Sequence, residues 1–496
     1  MPRPNVLLFI VDGLRTDFLG CLGSQLGATP HADAFAASGV TFSQAFCVHS
    51  VCMPTRASIA TGRYPHIHGV WANGVSLRTS EVTLAQTLSE AGYATCAAGK
   101  IHHEPQQPYR PLAPSITAPY YGFAEVHLSE NHLGEDYMRF IAERYPDLKD
   151  RALTRDRMPE EAHDLTWITD QALGFIQREA RAQRPFFCQC SFHELIPPCT
   201  PPPNYTGLYD PADMTVPELR EDDLERKPPW YRQCYEGYVA NGRQPDEPTL
   251  RRYLAGAFDQ LRFVDHQFGR LLAALDQAGV ADNTIVLFTA DHGLSLNDHW
   301  QWRHGPFLFD QVINVPQLWR LPASDRDCPR SRPQPQTAPD TASAGMGTVP
   351  VSQSAQVEQV DIMPTILEHC GVAIPPGVQG RSLTPLLRGD ADATGQETVL
   401  IQERHAPDLA ARGLDERLVW QVGIRTPEWK LIHYTDYRDA GDRWGGELYD
   451  LRNDPGEFVN LWPEPGYRAQ RRELEAALMD RLARTQDPLP VNEYHY

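Results

Sequence analysis

Residues 4–12, PNVLLFIVD, decide the fold. The apolar run Pro4–Val11 stops at Asp12. It is far short of the roughly 18–20 apolar residues a membrane-spanning helix needs, and no small-residue cleavage site follows it. Both of its faces are apolar, the signature of a strand buried between two layers. This reading places the mature N-terminus here and predicts a cytoplasmic protein. Phe186–Ser191 and Thr284–Thr289 repeat the pattern. Between them, Leu84–Ala91 and Leu254–Ala278 carry helical spacing, with Gly92 and Gly279 where a left-handed cap is wanted. Strands alternating with helices predict an α/β fold, a large central sheet with helices on both faces.

Outward from that core the pattern changes twice. Residues 325–352 are rich in Pro, Ser, Thr and Ala and read as a mobile surface insertion. From about 395, Val399–Gln402, Trp420–Thr426 and Trp429–Tyr434 read as antiparallel strands, followed by a charged helix over 466–485. The expected division is a catalytic α/β domain over 1–390 and a smaller α+β unit over 391–496, with no internal repeat.

Totals narrow the function. The 496 residues carry 45 basic and 64 acidic side chains, a formal charge of −19 that argues against a nucleic-acid partner. No run suits a membrane partner. Ten cysteines are scattered without a C-x-x-C pair, so neither a zinc cluster nor a disulfide scaffold is indicated. Only four lysines occur, among them Lys100 in Gly99-Lys100-Ile101-His102.

Cys52-Met53-Pro54-Thr55-Arg56 is the most informative segment. A C-x-P-x-R pentapeptide would arise by chance about 0.07 times in a chain of this composition. A helix starting just after Pro54 and closed near Gly62 puts Cys52 at a helix N-terminus, where backbone N–H groups favour an anion. Asp12 and Asp291-His292 follow two of the strands, where ligands bind in open α/β sheets. Two acids and an imidazole at one edge suit a divalent metal. Asn73 either faces this site or only forms an Asn-Gly turn.

These residues resemble the type I sulfatases of the alkaline-phosphatase superfamily over nearly the whole chain. The matching pieces are PNVLLFIVDGLRTD at 4–17, CMPTRASIATGRYPHIHG at 52–69, GKIHH at 99–103, SFHELIPP at 191–198, TADHG at 289–293, DIMPTILEHCGV at 361–372 and ELYDLRNDPGEFVNLW at 447–462. The resemblance implies an alkaline-phosphatase-like sheet and oxidation of Cys52 to Cα-formylglycine by a separate formylglycine-generating enzyme. Its hydrate would attack sulfur, pass through a covalent sulfate hemiester and expel sulfate with the help of the second hydroxyl. By the same resemblance Asp12, Cys52, Asp291 and His292 hold one metal ion. Arg56 balances charge at residue 52, Lys100 and His102 clamp the sulfate, and His193 protonates the leaving oxygen. Ca²⁺ is the favoured ion, and the imidazole also suits Mn²⁺.

The chain departs from the family twice. Gly13 stands where many relatives carry a second acid, which raises phosphonate monoester or phosphodiester hydrolysis as the rival activity. Downstream of Asp291, Trp300-Gln301-Trp302-Arg303-His304 lacks the usual lysine, so His304, or failing that Arg303, must serve. A non-enzymatic binding module is disfavoured by the intact polar set. A thiol hydrolase gives no reason for two acids, which would raise the thiol pKa. Trp300, Trp302, Tyr205 and Tyr231 are candidates to line an aromatic pocket. Aryl, carbohydrate and alkyl sulfates all fit this reading as substrates, and the sequence carries no oligomeric signature.

Overall fold

The computed structural model describes residues 3–105, 118–130, 135–154, 158–195, 199–326, 351–404, 420–434, 445–487 and 489. Most of the 325–352 stretch lies outside these residues. The centre is an eight-stranded sheet. Its order is Val351–Gln353, Val40–Phe42, Gln317–Arg320, Thr284–Ala290, Asn5–Val11, Phe186–Phe192, Ala94–Gly99 and Glu125–Leu128. Only Gln317–Arg320 runs against its neighbours.

The strand read first from the sequence occupies the middle, and every one of its residues is buried. Leu7, Phe9 and Val11 face one apolar layer, with Phe268 and Phe288, while Val6, Leu8 and Ile10 face the other, with Ile362 and Leu367. Each fully buried side chain of this size contributes about 1.5–3 kcal/mol, so the strand is held from both sides. Its register positions the chemistry. Val11 pairs with Phe192 on one side and with Ala290 on the other. The residues that follow, Asp12, His193 and Asp291, therefore leave the sheet at one edge. Gly99 pairs with Ser191, which delivers Lys100 to the same edge.

Helix boundaries differ from the periodicity in instructive ways. The long helix spans Glu247–Gln277, starting seven residues before the apolar spacing begins. Asp246 caps it by accepting from Thr249 N at 2.9 Å, and Pro248 sits in its first turn, where no N–H is needed. The helix that carries Cys52 likewise spans Cys52–Thr61 rather than starting after Pro54, and Gly62 closes it in the left-handed conformation at φ 63°. Gly92 and Gly279 have positive φ, as a cap requires.

The C-terminal unit is a four-stranded antiparallel sheet, Val399–Arg404, Trp420–Arg425, Trp429–Tyr434 and Gly446–Asp450, covered by the helix Arg468–Arg484. Its last strand was not legible in the sequence. Three buried tyrosines from three segments, Tyr231, Tyr434 and Tyr449, converge there on buried Glu447. Among the described residues no two cysteines are joined, and no helix is long and apolar enough to cross a membrane.

Candidate active site

Cys52 is 2% exposed at the first position of its helix. The helix has no side-chain cap at Val51, but Asn73 Oδ1 accepts from Met53 N at 2.9 Å. Asn73 is thus fastened to the start of the Cys52 helix. The Cys52 Sγ lies 3.2 Å from His292 Nε2.

Arg56, one turn on, holds the acids in place. Its Nε donates to Asp291 Oδ2 at 2.7 Å, and its Nη1 donates to the Lys100 carbonyl and to Ser191 Oγ, both at 2.8 Å. Its Nη2 lies 3.6 Å from Asp12 Oδ2, the same oxygen that receives Lys100 Nζ. Asp291 Oδ1 accepts from the backbone of Gly13 at 3.2 Å and of His292 at 2.9 Å. His292 Nδ1 lies 2.8 Å from the Gly293 carbonyl. A carbonyl cannot donate, so Nδ1 carries a proton, and Nε2 is the ring nitrogen that faces Cys52.

The electrostatics are those of a tightly balanced cluster. Burial pushes Asp12 upward, and Asp291 and Cys52 add to that. Burial acts on Asp291 in the same sense, but Arg56 and His292 outweigh it and hold that carboxyl below its usual range. The Cys52 thiol is raised by burial and then carried well below its ordinary value by Lys100 and His292. Burial disfavours the His292 cation, yet Asp291 and Cys52 bring it up to about 10.

One ligand atom from each of Asp12, Cys52, Asp291 and His292 lies within 4.8 Å of the others. Asp12 Oδ1 is buried and has no hydrogen-bond partner among the described residues, 3.6 Å from His292 Nε2. Two carboxylates, one of them with an unpartnered oxygen, and an imidazole nitrogen close together fit a hard divalent cation.

The remaining predicted residues fall in different places. His102 takes the uncommon φ of 55°, and Glu130 Oε1 accepts the N–H groups of Ile101 and His102 at 3.2 and 3.1 Å. The His304 ring sits 4.7 Å from that of His292, edge to face, whereas Arg303 is exposed. His193 is buried with Nε2 2.9 Å from Asp164 Oδ2, and Asp164 Oδ1 lies 2.8 Å from His163 Nδ1. Of the four aromatic candidates, Tyr231 and Trp302 are buried in the core and Tyr205 and Trp300 are half-buried. Tyr231 stacks on Trp230, Trp302 meets Tyr253, Tyr205 lies on Phe263, and Trp300 donates to the Arg220 carbonyl.

Sequence reasoning missed Ser191 and the support beneath the nucleophile. Glu403, fully buried, reaches from the C-terminal unit to accept from Ser50 Oγ and lies 3.3 Å from His49 Nδ1. Ser191 stood inside a quoted motif. Glu403 lies 353 residues from its partner and had no local signal.

Two acids, a histidine and a helix-borne cysteine thus meet at one edge of the sheet. The sulfatase family profile matches residues 4–372, and that of the N-sulphoglucosamine sulphohydrolase C-terminal region matches 347–486. The chain belongs to the sulfatase family and is a sulfuric-ester hydrolase. It is 26% identical to an N-acetylglucosamine-6-O-sulfatase of Bacteroides thetaiotaomicron over 99% of this chain and 88% of that protein. It is 31% identical to human iduronate 2-sulfatase over 92% and 91% of the two chains. The phosphonate monoester hydrolase of Silicibacter pomeroyi shares the fold, with a TM-score of 0.79 at 24% identity, over 98% of this chain and 96% of that one.

Proposed function

We propose that the protein hydrolyses a small organic sulfate monoester, with residue 52 as nucleophile after its conversion to Cα-formylglycine by a separate maturing enzyme. Asp12, Asp291, His292 and residue 52 would hold one divalent cation, calcium in preference to manganese. The observation that carries this reading is the convergence of those four donors within 4.8 Å at a helix N-terminus. When present, the hydrated aldehyde supplies two hydroxyls on one carbon and the cation supplies the charge that favours an oxyanion there at neutral pH.

The chain's own side chains supply the rest. Arg56 neutralises the two carboxylates and fixes their separation through its planar fork. Lys100 and His102 flank residue 52 and would bind the sulfate oxygens as negative charge moves toward the leaving oxygen. With Nε2 on Asp164, His193 would protonate that oxygen from Nδ1. The His304 ring beside His292 is the second donor, since an imidazole can both bind an anion and release a proton.

A second reading, phosphonate monoester or phosphodiester hydrolysis, is favoured by Gly13, which offers only its amide to Asp291 where a further acid would stand. Such esters carry the same single negative charge as a sulfate monoester. Two measurements test the pair. The tryptic peptide Thr16–Arg56, from protein matured with a formylglycine-generating enzyme, should lose about 18 Da at residue 52. Matched 4-nitrophenyl sulfate, phenylphosphonate and phosphodiester substrates should then rank with the sulfate first. An intact thiol under competent maturation would end the mechanism, and a phosphonate ranked first would reverse the assignment.

A further inference from the structure

His304 reaches the site on a segment that is gripped from outside the main sheet. His304, His292 and Cys52 each bring one side-chain atom within 4.8 Å of the other two. The chain then runs through Gly305 and Pro306 to Asp310, with Phe307, Leu308 and Phe309 buried. One face of the C-terminal sheet holds every second residue of this run. Gln421 Nε2 donates to the Pro306 carbonyl, Lys430 Nζ to the Leu308 carbonyl and Arg425 Nη2 to Asp310 Oδ2, each at 2.9 Å. Gln421 and Arg425 alternate on one strand, and Lys430 lies opposite Arg425 on the next. Proline has no N–H, so its carbonyl is the main-chain handle at position 306.

The same face carries Glu403. It stands directly opposite Gln421 in the antiparallel register, so the two side chains lie on one side of the sheet. Both are buried. Glu403 receives Ser50 Oγ, two residues before Cys52, while Gln421 holds Pro306, two residues after His304. Between these anchors the two segments touch. A Cβ on Gly305 would stand 2.5 Å from Val51 Cγ1 and 2.9 Å from Ser50 Oγ, an approach that only glycine permits. Burying a carboxylate and an amide costs free energy that an apolar pair would avoid, so adhesion of the two units gives no reason for this choice. Directional bonds to fixed points on either side of the gap do.

We propose that Glu403 and Gln421 are a positioning pair: together they set the separation between His304 and residue 52, and with it proton delivery to the leaving oxygen. Neither touches the reacting atoms. This deepens the proposed function and rests on it for the role of His304 as a proton donor. If the pair only fastened the C-terminal unit to the main sheet, its loss would act on stability and on every ester alike.

The test uses the full chain with residue 52 converted and a series of aryl esters of graded leaving-group acidity. Gln421→Met keeps the volume of the side chain and removes the donor to Pro306. It should lower kcat about 10- to 100-fold for esters of weakly acidic phenols, the scale of a misplacement of about 1 Å, with KM within about twofold. Esters of acidic phenols, whose leaving oxygen needs no proton, should change little. Glu403→Gln keeps an acceptor for Ser50 Oγ and should retain most of the kcat that Glu403→Ala loses. Placed on His304→Ala, Gln421→Met should cost less than about a further twofold, because both act through one group. Full additivity overturns the proposal, as does an equal loss for every leaving group accompanied by a lower melting temperature. The series is run on whichever ester the wild type hydrolyses, sulfate or phosphonate, so a reversed substrate ranking leaves the test intact. If converted wild type turns over no ester, the proposed function ends and crystal structures decide the pair. In Gln421→Met the His304 ring should then lie about 1 Å or more beyond its present 4.7 Å from the His292 ring, with Asp12 and Asp291 in place. An unmoved ring overturns the proposal.

Discussion

Replacing Arg56 separates charge from geometry at the centre of the site. The guanidinium is 2% exposed and donates to Asp291, to the Lys100 carbonyl and to Ser191 Oγ at 2.7–2.8 Å. Arg56→Lys keeps the charge but offers one ammonium in place of a planar fork. If that ammonium stays on Asp291, the bonds to Lys100 O and Ser191 Oγ are lost, at about 1.5–3 kcal/mol each. The expected loss is about 3–6 kcal/mol, a large part of the roughly 5–15 kcal/mol that holds a protein folded. Arg56→Met also removes the countercharge and leaves two buried carboxylates, so it should cost at least as much without metal. A divalent ion that binds only the folded state restores RT ln(1 + [L]/Kd), about 2.7 kcal/mol at a hundredfold excess over Kd. Calcium should therefore stabilise Arg56→Met by more than it stabilises wild type. Urea unfolding followed by tryptophan fluorescence, in calcium and in chelator, measures both effects. A loss under 1 kcal/mol for Arg56→Lys would refute the hydrogen-bond accounting. An equal calcium increment in Arg56→Met and wild type would refute Asp12 and Asp291 as ligands.

Other consequences follow from the same geometry. Burial alone would raise Asp310, but Lys430 at 2.6 Å and Arg425 at 2.9 Å overcome it and hold the carboxyl well below its usual range. Such a depressed carboxylate contributes stability above its unfolded pKa, near 3.9, and loses it as pH falls further. Asp310→Asn should thus be about 3 kcal/mol less stable than wild type at pH 7, with the gap closing below about pH 4 in acid denaturation. Asn73→Ala removes the acceptor for Met53 N and should lower kcat for 4-nitrophenyl sulfate about tenfold with about 1 kcal/mol of lost stability, read by kinetics and thermal melts. If His304 donates a proton, His304→Ala should slow sulfates of weakly acidic phenols by about 10²–10⁴, and those of acidic phenols much less. A uniform loss across a series of leaving groups would instead assign His304 to binding.

The parts of the site carried by the main sheet were legible because each functional residue directly follows a buried strand. Asp12 and Asp291 needed only the apolar runs before them, and the parallel register then brings them together. The helix at Cys52 was legible from Pro54 and Gly62, although Pro54 sits inside the first turn rather than before it. Contacts from distant segments left no local pattern. Glu403 lies on a short strand whose alternation says only that its side chain points inward. Loop aromatics misled for the opposite reason: Tyr231 and Trp302 are large enough to be wanted in the core, and the core took them.

Charge accounting ties the site to its specificity. In the structure, Asp12, Asp291 and the Cys52 thiol face Arg56, Lys100 and His292, an arrangement near neutrality. Lys100 rests on Asp12, the carboxylate that a cation would also engage. On the proposed reading, a divalent ion held by Asp12 would compete for the oxygen that engages Lys100 and so would leave Lys100 available to an incoming anion. In the proposed mechanism a sulfate monoester would bring a single negative charge to this cluster. A phosphate monoester dianion brings one charge more. On the proposed reading, monoanionic phosphonates and phosphodiesters would come within reach as side substrates, so the site should discriminate by ester charge before it discriminates sulfur from phosphorus.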